Sequence, residues 1–355
     1  MSSSDVDLVV ATVRDILTGH EPFVLDRERT WDAGLWAALA DSGLTGVGLP
    51  EEAGGSGGEF ADAVAVVGAL AAGAAAVPVA EQLLVAAPAV LAADLDLPAP
   101  DEPLTVAVDG AVTAEPRDDG DGPGSWTLTG TATDVAWAGV ARHLVVLATS
   151  PVGPVLALVD VTGREATHAA NLAGEPRGSY VFDGVVAAGA LRTDRQAGEL
   201  RARYALARAV QLSAALQQVL AATVQYAGER QQFGRPLAKF QAIQMELAEM
   251  AGEVTAVAAL VDAAVQAVAR GESLVLAAAA AKVRAGAAVE VVARLAHQVH
   301  GAIGFTQEHK LHHLTRRCWS WRDEAGSELT WSRVLGEGLL AYGPHALWPA
   351  LTRVV

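Results

Sequence analysis

The chain of 355 residues carries 41 acidic and 25 basic side chains, which give a formal net charge of −16. Apolar residues make up 52% of the chain and charged residues only 19%, so the composition excludes a disordered protein and allows a large core. The acidic balance, without a run of lysine or arginine, excludes a typical nucleic-acid-binding protein.

A cytoplasmic protein is expected from the cysteine content and from the N-terminus. Cys318 is the single cysteine, so an internal disulfide is impossible and a reducing compartment is favoured. The first residues, MSSSDVDLVV, lack the basic region and apolar core of a signal peptide. Residues 60–95 are rich in alanine and valine, but Asp62 and Pro78 interrupt them. They therefore predict buried helices rather than a membrane span.

A helical domain is predicted for residues 1–100. Thr30 is placed to cap a helix that Gly43 can end. The apolar face of this helix comprises Leu35, Trp36 and Leu39.

A small β domain is predicted for residues 101–192. Short apolar runs recur there, and turn residues separate them, which is typical of successive strands. The runs are Leu104–Val108, Trp126–Leu128, His143–Ala148 and Val155–Val161.

A four-helix bundle is predicted for residues 193–355, because four long helical segments are joined by short connections. The segments cover about 198–228, the stretch after 236 to about 270, 273–300 and 327–342. The second segment has an apolar stripe with spacings of three and four residues, as expected of a helix packed in a bundle. The stripe comprises Ile243, Leu247, Met250, Val254, Val257 and Val261.

A polar turn precedes this second segment. Arg230, Gln232, Phe233 and Gly234 lie in it, and Pro236 closes it. A guanidinium beside a helix start suits a phosphate-like anion. An ordinary exposed loop between two helices explains the same residues, and chemistry alone favours that simpler interpretation.

Three motifs together resemble the acyl-CoA dehydrogenases. The segment Glu229–Met250 contains RQQFG, Phe240-Gln241 and LAEM, which are similar to the hallmark of that family. The segment His297–Glu308, HQVHGAIGFTQE, is similar to the family's Gln-x-x-Gly-Gly-x-Gly-Phe/Tyr-x-x-Glu. The segment Leu49–Gly57, LPEEAGGSG, resembles its Pro-Glu-Glu-x-Gly-Gly loop. The resemblance covers nearly the whole chain and is weakest from about 100 to 192.

The resemblance implies a mainly α fold with a β middle domain: a helical N-domain, a small β-barrel and a C-terminal four-helix bundle. It also implies FAD-dependent α,β-dehydrogenation of an acyl-CoA thioester, with electron-transfer flavoprotein or a similar protein as acceptor. A homo- or hetero-oligomer, a dimer or tetramer, follows because the RQQFG segment of this family serves the FAD of the neighbouring protomer. The positions that match FAD contacts are Arg230, Gln232, Phe233, Gln241, Gln298, Gly301 and Ser327.

The chain departs from the family at the catalytic base. The family's Tyr-Glu-Gly-Thr falls on residues 324–327, so Ala325 occupies the base position. An alternative base position on the first bundle helix falls near Tyr204. Glu324, one residue away, is the remaining catalytic candidate, and it reaches the pocket only if the loop is reshaped. Otherwise a partner subunit supplies the base, and Glu324 is simply a solvated residue at a helix end.

A second departure concerns the flavin contact in the middle domain. The family's Trp-Ile-Thr-Asn-like sequence aligns near Ala136, which takes the place of the threonine. Trp137 is either a flavin neighbour or, as is commoner for such a ring, part of the core.

Two other functions remain open. One is a base-less structural or FAD-binding partner subunit. Heteromeric acyl-CoA dehydrogenases with one base-bearing and one base-less subunit exist, several of which act on steroid side-chain thioesters, and WSWRDEAGSE resembles a subgroup of short members. The other is a flavin monooxygenase or desaturase that acts on a carrier-bound substrate. A metal site is not expected, because His309, His312 and His313 lack metal-ligand spacing. No membrane and no nucleic acid are expected as partners.

Overall fold

A computed structural model describes residues 3–20, 31–117, 124–306, 308–341, 343 and 345. Its contacts group the chain into two compact units, residues 1–66 with 76–207 and residues 67–75 with 208–355. The division into three domains stays a prediction.

Short helices open the first unit. They are α1 (Ser3–Thr18), α2 (Ala33–Asp41), α3 (Phe60–Ala72) up to residue 66, α4 (Val79–Glu81) and α5 (Ala87–Ala92), with a π-helical turn at Gln82–Ala86.

The capping of α2 differs from the prediction. The carboxylate of Asp32, not the hydroxyl of Thr30, accepts the N–H of Leu35 at 2.9 Å. Thr30 lies outside the described residues. Aspartate is a favoured N-cap residue, and Asp32 stands three residues before that N–H, where its side chain can accept it. The predicted apolar face is buried, and Gly43 follows the helix in the left-handed conformation with φ +70°.

A closed β-barrel forms most of the rest of the first unit. Its strands are β1 (Leu104–Ala107), β2 (Gly110–Pro116), β3 (Ser125–Ala136), β4 (His143–Ser150), β5 (Gly153–Asp160), β6 (Ala169–Ala170) and β7 (Pro176–Leu191). Strands β4, β2, β3, β7 and β5 pair in that order, and β5 pairs back with β4 to close the ring. Leu128, Leu144 and Phe182 fill its interior.

The predicted runs fall on β1, β3, β4 and β5, whereas β2 and β7 were missed. In β2 only Val112 and Ala114 are buried, and the remaining positions are exposed. In β7 the β-branched and aromatic residues are interrupted by Gly178, Asp183, Gly184 and Gly189, so they do not form one continuous strand-like run. Pairing with β3 along both strands stabilises these sequences.

The second unit is helical. It contains α6 (Asp194–Glu229) from residue 208, α7 (Gln241–Ala269), α8 (Val275–His300), α9 (Leu311–Asp323) and α10 (Glu328–Ala341). A hairpin of β8 (Gln231–Gln232) and β9 (Arg235–Pro236) joins α6 to α7. Four of these helices match the predicted bundle segments. The additional helix α9 was not predicted, because its polar and basic residues obscure the apolar spacing.

The apolar stripe of α7 packs as predicted. Met250, Val254, Val257 and Val261 are buried, and Ile243 and Leu247 are half-buried. By length and composition alone, α7 is also the one described helix that could cross a membrane, and 28% of its most apolar window is buried.

Gly130 on β3 gives a direct test of the barrel. Its φ is +120°, and a Cβ there would collide with the carbonyl of Ala111 on β2. Gly130→Ala should destabilise the protein by more than the roughly 1–3 kcal/mol of backbone strain alone. Gly184→Ala on β7 is the matched control, since Gly184 has φ +69° and open space within 4 Å of the position that a Cβ would take. Thermal unfolding should show the larger loss for Gly130→Ala; equal losses would contradict the strand packing.

Candidate functional site

The predicted polar turn is a β-hairpin that projects from the second unit. Gln231 pairs with Pro236 and Gln232 with Arg235, so Phe233 and Gly234 form a two-residue turn with φ of +50° and +78°. The side chain of Phe233 is 91% exposed at its tip. Such a ring in a left-handed conformation is strained and unprotected from water, which indicates a contact outside this chain.

The predicted cofactor residues of this segment are accessible. Arg230 directly follows α6, its backbone N–H donates to the carbonyl of Tyr226 at 2.8 Å, and its side chain is exposed. Gln232 and Gln241 are also exposed, and Gln241 begins α7. The structure therefore brings a guanidinium, two amides and an aromatic ring to one short segment.

A groove of about 470 Å³ contains two of the three remaining predicted FAD contacts, Gln298 and Gly301. It is lined by Ala293, Arg294, His297, Gln298, Gly301, Phe305 and Trp319. The imidazole of His297 stacks on Phe305 with centroids 4.4 Å apart and donates to or accepts from the Thr315 hydroxyl at 3.0 Å. Sequence reasoning missed Arg294, which lies one helical turn before Gln298 on α8.

The loop of residues 324–327, between α9 and α10, contains the predicted catalytic position. Ala325 has φ +55° and Gly326 has φ +91°, so the chain reverses tightly between α9 and α10. The indole N–H of Trp331 donates to the carbonyl of Ala325 at 2.7 Å. Ser327 accepts the N–H of Thr330 at 3.4 Å and so caps α10. Its predicted role as a cofactor contact stays a prediction.

Glu324 forms an ion pair inside the second unit. Its Oε2 lies 2.8 Å from Nη2 of Arg208, and the two side chains are 10% and 1% exposed. Nη1 of Arg208 also donates to Oε1 of Gln211 at 2.6 Å. Glu324 is thus a structural partner of a buried cation and not a solvated helix end, which corrects that interpretation.

A fully buried lysine supports the same loop. Nζ of Lys282 on α8 donates to the carbonyl of Arg322 at 2.5 Å and to that of Gly326 at 2.8 Å. Burial lowers the pKa of Lys282 to about 8, although the nearby Glu328 carboxylate raises it. The amine therefore stays mostly protonated at neutral pH.

Sequence reasoning overlooked both buried cations, although each left a signal. Lys282 is a charged residue within a run of buried alanines on α8. Arg208 follows Tyr204 by one helical turn, on the helix where the alternative base position falls. A charged residue on the apolar face of a bundle helix is costly unless it is paired, so each required a partner.

The remaining candidates of the first unit are buried. Tyr204 is 6% exposed, and Ala136 is fully buried with its carbonyl accepting the Thr105 hydroxyl at 2.9 Å. Trp137 is 3% exposed and packs with Ala76, Trp31 and Val140, so it is part of a core. The Leu49–Gly57 loop closes on itself through hydrogen bonds of 2.8 Å (Gly48 N–H to Gly57) and 2.9 Å (Gly57 N–H to Leu49).

The cluster of histidines after Glu308 makes contacts within the chain. Nδ1 of His312 lies 2.6 Å from the carbonyl of His309, and the rings of His312 and His313 are 4.0 Å apart. Within the described ranges, no group of three or more His, Cys, Asp or Glu side chains could hold a metal ion.

Comparison with known proteins identifies the class to which this fold and these segments belong. Residues 3–93 match the model of the acyl-CoA dehydrogenase N-terminal domain, and residues 199–338 match that of the C-terminal domain. Acyl-CoA dehydrogenase FadE27 of Mycobacterium tuberculosis is 31% identical over 264 residues, which cover 70% of each chain.

Two solved structures share the fold over nearly the whole chain. The ChsE4-ChsE5 complex from Mycobacterium tuberculosis has a TM-score of 0.86 and 28% identity over 97% of this chain and 99% of that one. The Tcur3481-Tcur3483 steroid ACAD G363A variant has a TM-score of 0.84 and 28% identity over 94% and 97%. The chain belongs to the acyl-CoA dehydrogenases, FAD-dependent oxidoreductases that act on the CH–CH bond of acyl-CoA thioesters, alone or in a complex.

The residues of the chain fit the two halves of FAD unequally. The exposed hairpin around Arg230 and the groove around Gln298 suit a phosphate-bearing nucleotide, since they offer a cation, amides and aromatic walls. In the barrel, the threonine position is the fully buried Ala136, and Trp137 lies in a core. Ala136 therefore lacks the hydroxyl that a threonine at this position would offer to the flavin ring.

Lys282→Met tests how the loop is held. The substitution removes both donors to the carbonyls of Arg322 and Gly326, and each buried acceptor left without a donor costs about 1–3 kcal/mol. For a protein of this size the melting temperature should fall by roughly 5 °C or more. Lys239→Met, at an exposed lysine, is the control and should leave it unchanged. An unchanged melting temperature for Lys282→Met would contradict the assigned contacts.

Proposed function

We propose that this chain is the base-less subunit of a heteromeric acyl-CoA dehydrogenase, and that it supplies the nucleotide-binding part of an FAD site that a base-bearing partner completes. The single observation that carries the proposal is the buried ion pair between Arg208 and Glu324.

The reaction needs a base that removes the α-proton of the thioester. When bound, FAD supplies the acceptor for the β-hydrogen, which leaves as hydride. A base must come within hydrogen-bond reach of the proton that it removes. To do so, Glu324 would have to leave Arg208 and abandon a guanidinium that is only 1% exposed. Breaking such a pair typically costs about 3–5 kcal/mol, so Glu324 is a poor base in this arrangement.

The other two base positions do not replace it. Ala325 offers a methyl group, and its carbonyl is held by the Trp331 indole. Tyr204 is a buried phenol. A partner subunit that carries the carboxylate would meet this need. The likeness of this chain to the ChsE4-ChsE5 complex supports such a pairing.

The exposed surface of the second unit supports assembly. Phe233 is exposed at the tip of the hairpin, and α7 presents a stripe of uncharged residues with spacings of three and four. The exposed stripe comprises Met245, Ala248, Gly252, Thr255 and Ala259. Small side chains allow a second helix to approach closely, and the opposite face of α7 is already buried in the unit. A dimer or tetramer with the partner would cover this stripe.

The finer assignments belong to the same proposal. The substrate of the assembled enzyme is an acyl-CoA, of fatty-acid or steroid side-chain type, for which the likeness to a steroid ACAD is the support. An electron-transfer flavoprotein or a similar protein accepts the electrons. A cytoplasmic location is in keeping with the single cysteine, Cys318, which is buried and free.

Glu324→Gln separates a structural role from a catalytic one. In a complex with a base-bearing homologue, the variant should lose thermal stability, because the neutral amide pairs less strongly with Arg208. Turnover of the folded complex should remain within about twofold. If Glu324 were the base, turnover would fall by roughly 10²–10⁴-fold. Steady-state kinetics on complex that has first been shown to be folded distinguishes the two results.

Arg230→Ala tests the nucleotide assignment. A charge-assisted contact with the pyrophosphate is worth roughly 1.5–3 kcal/mol, so FAD affinity should fall by about tenfold or more. Arg235→Ala is the matched control on the same hairpin, since the guanidinium of Arg235 lies over the Phe240 ring, 4.1 Å from its centroid. Flavin absorbance after dialysis measures both. Full flavin retention in Arg230→Ala would overturn the assignment.

A further inference from the structure

Tyr226 lies between the two segments that we assign to the nucleotide. It is in the last turn of α6, and its carbonyl accepts the N–H of Arg230 at 2.8 Å. Tyr226 is therefore one helical turn before Arg230, which stands at the start of the hairpin. This hydrogen bond links the backbone of Tyr226 to the base of the hairpin.

The side chain of Tyr226 contacts the second segment. Its hydroxyl donates to the carbonyl of His300 at 3.3 Å, and its ring stacks on the imidazole of His300 with centroids 4.4 Å apart and planes at 20°. The ring of His309 meets both edge-on, 6.3 Å from Tyr226 and 4.9 Å from His300. We call these three residues the ring cluster.

The ring cluster lies directly beneath the turn that lines the groove. His300 is the last residue of α8, and Gly301 follows it with φ +66° and begins the 3-10 turn Gly301–Phe305. A Cβ on Gly304 would lie 3.0 Å from the Cβ of His300, so the turn packs closely on that residue. Gln298, the predicted amide contact, is two residues before His300 on α8.

Both histidines of the ring cluster are fixed. His300 is 4% exposed, and its Nδ1 lies 2.7 Å from the carbonyl of Ala296. Nδ1 of His309 accepts the N–H of Leu311 at 3.2 Å, which places its proton on Nε2 in the neutral form. Burial lowers the pKa of both residues. The rings therefore stack as neutral groups at neutral pH, without mutual repulsion.

We propose that Tyr226, His300 and His309 are positioning residues. They hold the hairpin and the Gly301–Phe305 turn in a fixed relative position, so that Arg230 and Gln298 can contact the same nucleotide. The inference rests on the proposed assignment of FAD to these two segments. None of the three rings needs to touch FAD, because each acts through the backbone on either side of it.

The test compares two substitutions at Tyr226 in the complex with the base-bearing homologue. Tyr226→Leu removes the stack and the hydroxyl, and we expect FAD affinity to fall by about tenfold. Tyr226→Phe keeps the ring and loses only the hydroxyl, so most of the affinity should be restored, to within about threefold of the parent. Titration of flavin-free complex, followed by flavin fluorescence, gives both values. His309→Ala, at a half-buried position, is expected to weaken FAD binding severalfold. This variant replaces Tyr226→Leu in the test if Tyr226→Leu does not fold.

Hydrogen exchange of the flavin-free protein gives a readout that does not depend on FAD. In Tyr226→Leu, exchange should accelerate together in residues 231–237 and 301–306, and Tyr226→Phe should restore the protection of both. A folded Tyr226→Leu or His309→Ala with parental FAD affinity, while Arg230→Ala weakens binding, would overturn the inference alone. If Arg230→Ala also binds FAD normally, the nucleotide assignment is wrong. In that case hydrogen exchange still tests the positioning role: unchanged exchange of both segments in Tyr226→Leu would overturn it.

Discussion

The ion pair between Arg208 and Glu324 is the constraint on which the rest of the candidate site depends. A guanidinium that is 1% exposed is costly without an anion, and Glu324 lies 2.8 Å from it. The pair fixes the first residue of the loop between α9 and α10. Lys282 then holds the carbonyls of Arg322 and Gly326, and Trp331 holds that of Ala325. The loop is therefore anchored at successive residues, and reshaping it to present a carboxylate would break several contacts together.

Two independent features of the chain suggest a division of roles between subunits. The base positions offer a paired carboxylate, a methyl group and a buried phenol, and the barrel buries Ala136 and Trp137 where the family has a flavin contact. By contrast, the hairpin and the groove present accessible polar and aromatic groups. An assembly in which one subunit provides nucleotide contacts and the other provides the base would use both features. The loss of the base and the loss of the flavin contact in the barrel both point to a subunit that depends on a partner for catalysis.

The sequence was sufficient for the parts of the fold that depend on periodic burial. The stripe of α7, the apolar face of α2 and the strands β1, β3, β4 and β5 follow from local spacing. The strands β2 and β7 do not, since their pairing with β3 depends on residues distant in the chain. The motifs located the hairpin and the groove, because RQQFG and the glycines after Gln298 are short contiguous sequence motifs. The ion pair could not be predicted, since Arg208 and Glu324 are brought together only by the packing of separate helices. The ring cluster depends on the same kind of contact between distant residues.

The number of flavins per assembled complex tests the division of roles most directly. The complex of this chain with a base-bearing homologue would be purified, its two chains quantified, and its flavin released by denaturation and measured by absorbance. Our account predicts one FAD for every two chains, and little FAD on this chain when it is purified alone. One FAD per chain, or an isolated chain that holds FAD and is bleached by acyl-CoA, would contradict it.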